Sequence, residues 1–181
     1  YFNLTTEYNP YYVEIYTGSL EMDWTHSNSV FFDENSESVF VSIRNLSRIT
    51  KIDYASKNLI WNMGKADFMN EIYFEDDLNF SQQHSVQVLD NGNLLFFDNH
   101  RYLSPELSRC IEVSYDESDY SAEIVWEHEL PAELFTGSRG ECDRLENGNT
   151  LITAGRTGHT LEVTPDNTVI WHLEVENMGF D

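Results

Sequence analysis

The chain has 181 residues, 40% hydrophobic and 14% aromatic, and carries 32 Asp and Glu against 10 Lys and Arg for a net charge of −22. That apolar content fills the core of one domain and excludes a disordered chain, while so acidic a surface excludes nucleic acid and anionic membrane as partners. No apolar run approaches the roughly 20 residues of a bilayer span.

Residues 1–23 hold the aromatic strand candidate Tyr11-Tyr12-Val13-Glu14-Ile15-Tyr16, closed by Gly18 and Ser19. It has no partner within its own segment and reads as the end of a preceding blade or as a linker. The sequence starts at Tyr1 without a signal-like apolar stretch, which reads as a processed chain or a piece of a longer one.

From His26 a four-strand unit begins. Its strands are predicted at His26–Phe32, Val39–Ile43, Arg48–Asp53 and Leu59–Trp61, with Asp33–Ser38 and Ala55–Asn58 as turns. A linker over 66–83 follows, with a turn or short helix expected at Asp67–Phe74. The grammar then returns in a second unit: His84–Leu89, Leu94–Phe97, Arg109–Val113 and Glu123–Trp126. Asn91-Gly92 between the first two is a strong hairpin signal and is expected to be a tight turn with both residues at positive φ. After a linker over 127–140, where Pro131–Phe135 reads as one helical turn starting at proline, the third unit runs through Glu141–Leu145, Thr150–Ile152, Thr160–Val163 and Val169–Trp171. Glu146-Asn147-Gly148-Asn149 repeats Asp90-Asn91-Gly92-Asn93, and Trp61, Trp126 and Trp171 close the three units.

A repeated four-stranded unit with tryptophan on its last strand is the mark of propeller blades. The expected fold is therefore an all-β propeller of antiparallel four-stranded blades, about three of them, over 24–64, 84–129 and 141–175. Closed propellers have about four to eight blades. Three would thus need missing blades, another chain or a second copy (a homo-oligomer) to close.

In such a blade the first and third strands begin on the same face. His26 and His84 begin first strands. Arg48, Arg109 and His159 begin third strands. Arg101 follows the second strand of the middle unit, past Asn99. Imidazoles and a guanidinium at one mouth suit an anion such as a sulfate or phosphate ester: arginine presents a fork to two oxygens, and histidine acts as acid, base or nucleophile near neutral pH. The residue-by-residue alternatives are structural: strand-end caps for His26 and His84, surface ion pairs for Arg48 and Arg109, and a loop histidine at His159. His100, His128 and His172 show no partner pattern. No metal is expected, because there is no HxH or HExxH spacing, and Glu75-Asp76-Asp77 lacks the order of a calcium loop. Glycine-rich phosphate loops and nucleophile elbows are also absent from the sequence.

Asn3, Asn45 and Asn79 head glycosylation sequons. Together with only three lysines they point to an exported, extracellular or periplasmic protein. Cys110 and Cys142 either pair or stay free.

These residues resemble the PAPS-independent, β-propeller arylsulfotransferases. The resemblance is carried by Asp23-Trp24-Thr25-His26-Ser27-Asn28-Ser29-Val30, Ser42-Ile43-Arg44-Asn45-Leu46-Ser47, Gln83-His84 with Asn91-Gly92-Asn93 and Phe97-Asp98-Asn99, and Asn147-Gly148-Asn149-Thr150-Leu151-Ile152, and it covers about residues 20–175. It implies a six-bladed, exported propeller that moves a sulfuryl group from an aryl sulfate donor to a phenolic acceptor through a sulfohistidine, with no cofactor. Carried onto this chain, His159 is the expected nucleophile, His26, His84 and Arg101 complete the catalytic set, and Asn99, Arg109 and Arg48 are the expected substrate contacts. The competing expectation is a non-catalytic propeller that serves as a binding or structural module.

Overall fold

The computed structural model describes residues 25–65, 71–74 and 78–175. The strand expected at Tyr11–Tyr16 and the sequon at Asn3 lie outside them. Among the described residues, twelve strands form three antiparallel sheets of four, each a simple meander. The first sheet is β1 (Ser27–Asp33), β2 (Ser38–Ile43), β3 (Arg48–Asp53) and β4 (Leu59–Gly64). The second is β5 (His84–Val88), β6 (Leu94–Asp98), β7 (Arg109–Asp116) and β8 (Ser121–Glu129). The third is β9 (Glu141–Arg144), β10 (Thr150–Ala154), β11 (His159–Val163) and β12 (Val169–Glu174). β5 packs beside both β1 and β9, so the first strands of the three sheets are neighbours at the inner edge of a propeller arc.

The middle sheet is buried on both faces. Side chains alternate across a strand, so Leu94 and Phe96 of β6 enter one core while Leu95 and Phe97 enter the other. The first core joins Phe40, Ile49, Trp61 and Met63 of the first blade to Phe96, Ile111 and Val113 of the second. The second joins Leu95 and Phe97 to Ile152, Leu161 and Val163 of the third. This explains why Leu94–Phe97 reads as an unbroken apolar run rather than an alternating one. The second core also holds a disulfide from Cys110 of β7 to Cys142 of β9, with Cα atoms 6.0 Å apart, which ties the second and third blades.

Two repeated devices set the blade geometry. In the Asn-Gly-Asn turns, Nδ2 of Asn91 and of Asn93 donate to Glu112 Oε1 at 3.0 and 2.7 Å, and Asn149 donates to Glu162 Oε1 at 2.7 Å in the next blade. The closing tryptophans reach forward: Trp61 Nε1 donates to Glu117 in the β7–β8 turn at 2.8 Å, and Trp126 Nε1 donates to the Pro165 carbonyl in the β11–β12 turn at 3.1 Å. Trp171, at the same register, is 46% exposed.

Two local expectations are corrected and a third is met. Asn91 does not adopt positive φ; Gly92 alone does, at +86°. The Gly92 N–H donates to Leu89 O at 2.8 Å, so Asp90 and Asn91 are the central pair of a turn closed by the glycine. Of the turn or short helix expected at Asp67–Phe74, residues 67–70 lie outside the described residues, and 71–74 are not helical. Tyr73 pairs parallel with Asn62 of β4, where the Asn62 N–H donates to Ile72 O at 2.8 Å. The helical turn after Pro131 is present as a short 3₁₀ segment, Ala132–Leu134.

Candidate functional site

The site is built where linkers between blades pass over the inner strand ends. His84 opens β5, and Asn99 follows the last residue of β6, which brings the two together across the strand pair. Asn99 is fully buried. Its Nδ2 donates to the carbonyls of Thr136 and Arg139 at 2.5 and 2.6 Å. Both partners are acceptors only, which fixes the amide orientation and leaves Oδ1 to accept from His84 Nδ1 at 2.7 Å. The Gln82 carbonyl lies 3.1 Å from the same nitrogen. His84 is thus held as the Nδ1–H tautomer, with its lone pair on Nε2, and there the Arg139 backbone N–H donates at 3.2 Å.

Burial is the main influence on His84 and pushes its pKa below the ordinary histidine value. The bonds to Asn99 and Gln82 oppose that shift, and the nearby charges of Arg44 and His26 reinforce it. The imidazole is therefore neutral at pH 7. His26 stands at positive φ just before β1, and its carbonyl accepts from Arg44 N–H at 3.1 Å. The short 3₁₀ segment Arg44–Leu46 starts there, and the charge of Arg44 acts on His84. Arg101 lies over the same linker: a Cβ on Gly137 would stand 3.1 Å from Arg101 Cδ. His84, Asn99 and Arg101 therefore surround one segment, Thr136–Arg139, at one propeller face, and His26 is near enough to act electrostatically on His84.

Two stitches hold this face rigid. Gln83 is fully buried, and its Nε2 donates to Arg48 O and Ser42 Oγ at 2.8 and 3.1 Å, tying the first linker to the first blade. Asp98, also fully buried, accepts from Ser81 N, His100 N, His100 Nδ1 and Arg109 Nε at 2.8–3.0 Å. His100 and Arg109 are therefore structural neighbours of the site.

The other expected residues are placed elsewhere. His159, Arg48 and Arg109 begin third strands on the same propeller face, as the topology requires, but two strands outward, about 10 Å from the first strand. No hydrogen bond described in the structure joins His159 to His26, His84 or Arg101; its Nδ1 lies 2.8 Å from His172 Nε2, in a groove between the second and third blades. The expectation that His159 completes the mouth is corrected accordingly. Arg48 and Arg109 are likewise corrected as substrate contacts. Arg48, 3% exposed, pairs with Glu71 at 3.0 Å and with the Tyr73 hydroxyl at 2.9 Å, while Arg109 pairs with Asp98 and Glu127 at 2.9 Å and donates to the Leu78 and Asn79 carbonyls. The Asn45 sequon is corrected too: the side chain is 6% exposed and accepts from Arg44, whereas a glycan needs an open asparagine. Asn79 is exposed.

Sequence reasoning missed Arg44, Gln82, Gln83 and the Thr136–Arg139 segment as site elements. Arg44 sat inside a motif already singled out, but linker residues carry no periodic signal, and their contacts with strand ends form only when neighbouring blades pack. Among the described residues no His, Cys, Asp or Glu group of three or more is arranged to hold a metal ion, and no helix is long and apolar enough to cross a membrane.

The family model Arylsulfotransferase (ASST) matches residues 5–178. Among solved structures, the chain is similar to a protein of unknown function from Bacteroides caccae (TM-score 0.54, 14% identity, 86% of this chain and 51% of that one). It is also similar to the Cps50 (Swd1) β-propeller domain of Myceliophteria thermophila (TM-score 0.54, 10% identity, 83% and 42%) and to a virginiamycin B lyase from Staphylococcus aureus (TM-score 0.51, 12% identity, 84% and 42%). At such identities the likeness concerns the fold alone, and the chain spans about half or less of the length of each. No curated protein gives a significant match. With three four-stranded blades and a family match over nearly its whole length, the chain is a β-propeller member of the arylsulfotransferase (ASST) family.

Proposed function

We propose that this chain supplies the sulfate-ester-binding face of an arylsulfotransferase propeller and transfers a sulfuryl group from an aryl sulfate to a phenol through His84. The observation that carries this reading is the tautomer of His84: Nδ1–H is committed to Asn99, and the ring is neutral with its lone pair on Nε2. That is the state an imidazole needs to attack sulfur. Nε2 forms the N–S bond as the S–O bond to the aryl group breaks. The leaving phenolate takes a proton, for which His26 is the adjacent acid. The Arg101 guanidinium offsets charge on the sulfuryl oxygens. Attack by the acceptor phenol then reverses the steps. No cofactor takes part.

The Thr136–Arg139 segment must withdraw its N–H from Nε2 before attack. The Cys110–Cys142 disulfide and the exposed Asn79 sequon support an exported location. The open apolar faces at either end, with Val30 69% and Trp171 46% exposed, support closure by further blades or another chain, completing a six-bladed ring.

A second reading has its own observation. Arg139 N–H already occupies the lone pair of His84, and His159 faces another groove. On that reading the face binds anionic esters without turnover. Incubation with 4-nitrophenyl sulfate and a phenol distinguishes the two. Nitrophenolate release that is lost in His84→Ala supports transfer; binding without release supports the module.

A further inference from the structure

The loop from the second to the third strand carries an arginine in each of the three blades: Arg44 after β2, Arg101 after β6 and Arg156 after β10. In a meander those loops open on one propeller face, the face that also holds His84. Arg139 joins them from the linker between the second and third blades. Four of the chain's ten Lys and Arg thus collect on one face of a protein whose net charge is −22.

Arg139 and Arg156 are neighbours. The Arg156 N–H donates to Thr136 Oγ1 at 3.1 Å, which ties the β10–β11 loop to the linker. Gly155 lies flat against the same linker: a Cβ there would stand 2.7 Å from Arg139 Cβ and 3.2 Å from Gly140 N. The lack of a side chain at 155 is what lets the Arg139 stem pass so close to the residue before Arg156.

The two also differ from other arginines in what they bind. Arg48, Arg109 and Arg144 each meet a carboxylate, at 3.0, 2.9 and 2.8 Å. Arg139 and Arg156 are exposed, and their described bonds run through the backbone alone. Neither guanidinium has a hydrogen-bond or ion-pair partner among the described residues. In a chain with 32 Asp and Glu, two adjacent guanidiniums left without a carboxylate present their N–H forks to an anion from outside.

We propose that Arg139 and Arg156 form a second anion subsite beside His84, and that this face prefers aryl sulfates whose ring also carries a carboxylate. The proposal rests on the reading that the face binds sulfate esters. The Arg139 backbone N–H sits on His84 Nε2 at 3.2 Å, so its guanidinium is tethered about one side-chain length from the nitrogen that meets the sulfuryl group. An aryl ring bridges such a gap with the ester at one end and the carboxylate at the other. Arginine suits that carboxylate because its planar fork takes two oxygens at once. The chain's overall charge repels a dianion at long range, so a preference for one reports contacts at the site rather than general attraction.

The test is calorimetric titration of the chain with 4-carboxyphenyl sulfate and with its methyl ester, which removes the second charge and keeps the ring and the sulfate. The free acid is expected to bind about tenfold more tightly than the methyl ester. That ratio is expected to fall below about threefold in Arg139→Gln and in Arg156→Gln, each checked for native circular dichroism. It is expected to be intermediate in Arg156→Lys, which keeps the charge and loses the fork. Equal affinity for the two compounds in the unaltered chain overturns the subsite and leaves the sulfate-ester reading standing. A preference that persists in both glutamine variants also overturns the subsite, because the carboxylate is then held elsewhere. Binding of neither compound overturns both the subsite and the reading beneath it.

Discussion

His84 and Asn99 behave as one unit: the imidazole Nδ1–H donates to Asn99 Oδ1 at 2.7 Å, while the same amide donates to the Thr136 and Arg139 carbonyls. Replacing Asn99 by alanine strips the donor from two carbonyls and the acceptor from the imidazole. A buried polar group left unpaired costs about 1–3 kcal/mol. Asn99→Ala is therefore expected to lower stability by about 2–4 kcal/mol in urea unfolding. A loss under about 0.5 kcal/mol would show that the 136–139 segment is held by other contacts.

The pKa of His84 lies below the ordinary histidine value, chiefly through burial, and that of His128 is lowered for the same first reason. In both cases the unfolded state binds the proton more readily. Their contribution to stability is thus fully present above about pH 6.5 and is lost as the pH falls through the folded-state values. Urea midpoints are expected to rise from pH 5 to pH 7 (about that window) and to flatten when both residues are glutamine. A midpoint that falls over that interval contradicts the assignment.

Gly140 has φ +122°, and a Cβ there would stand 2.4 Å from the Phe97 ring. Gly92 has φ +86° in open space. Alanine at 92 is expected to cost about 1 kcal/mol, from backbone conformation alone. Alanine at 140 is expected to cost more than about 3 kcal/mol, because backbone strain is joined by a clash in the core. Equal losses would mean that the linker is not packed on Phe97.

The three repeated tryptophans differ in what covers them. Trp61 is fully buried and bonded to Glu117, whereas Trp171 is 46% exposed. Trp61→Ala is expected to cost about 3–5 kcal/mol, and Trp171→Ala under about 1 kcal/mol in the isolated chain. A larger loss at Trp171 would reveal a partner covering that face in solution.

Much of the fold was legible because it rests on short-range patterns. The Asn-Gly-Asn turns, the alternating strands and the spacing of Trp61, Trp126 and Trp171 recur in sequence; the turns map to equivalent contacts in two blades, and Trp61 and Trp126 to equivalent contacts with the next blade. The pairing of His84 with Asn99 was half legible, since a hairpin brings those positions to one edge. The rest depends on how blades stack. His159 shares a face with His84 yet lies two strands outward, a radial distance that linear spacing does not encode. Arg109 looks free for substrate until the burial of Asp98 is known. Asn45 reads as a glycosylation site until the Arg44–Leu46 turn buries it. The Cys110–Cys142 pairing likewise depends on contact between separate blades.

The most direct test of the central claim is intact-mass and peptide mass spectrometry of the chain after brief exposure to 4-nitrophenyl sulfate without acceptor. The expected result is a single sulfuryl adduct on His84, absent in His84→Ala and discharged on adding a phenol. An adduct on another residue, or its absence while the ester demonstrably binds, would contradict His84 as the sulfuryl carrier.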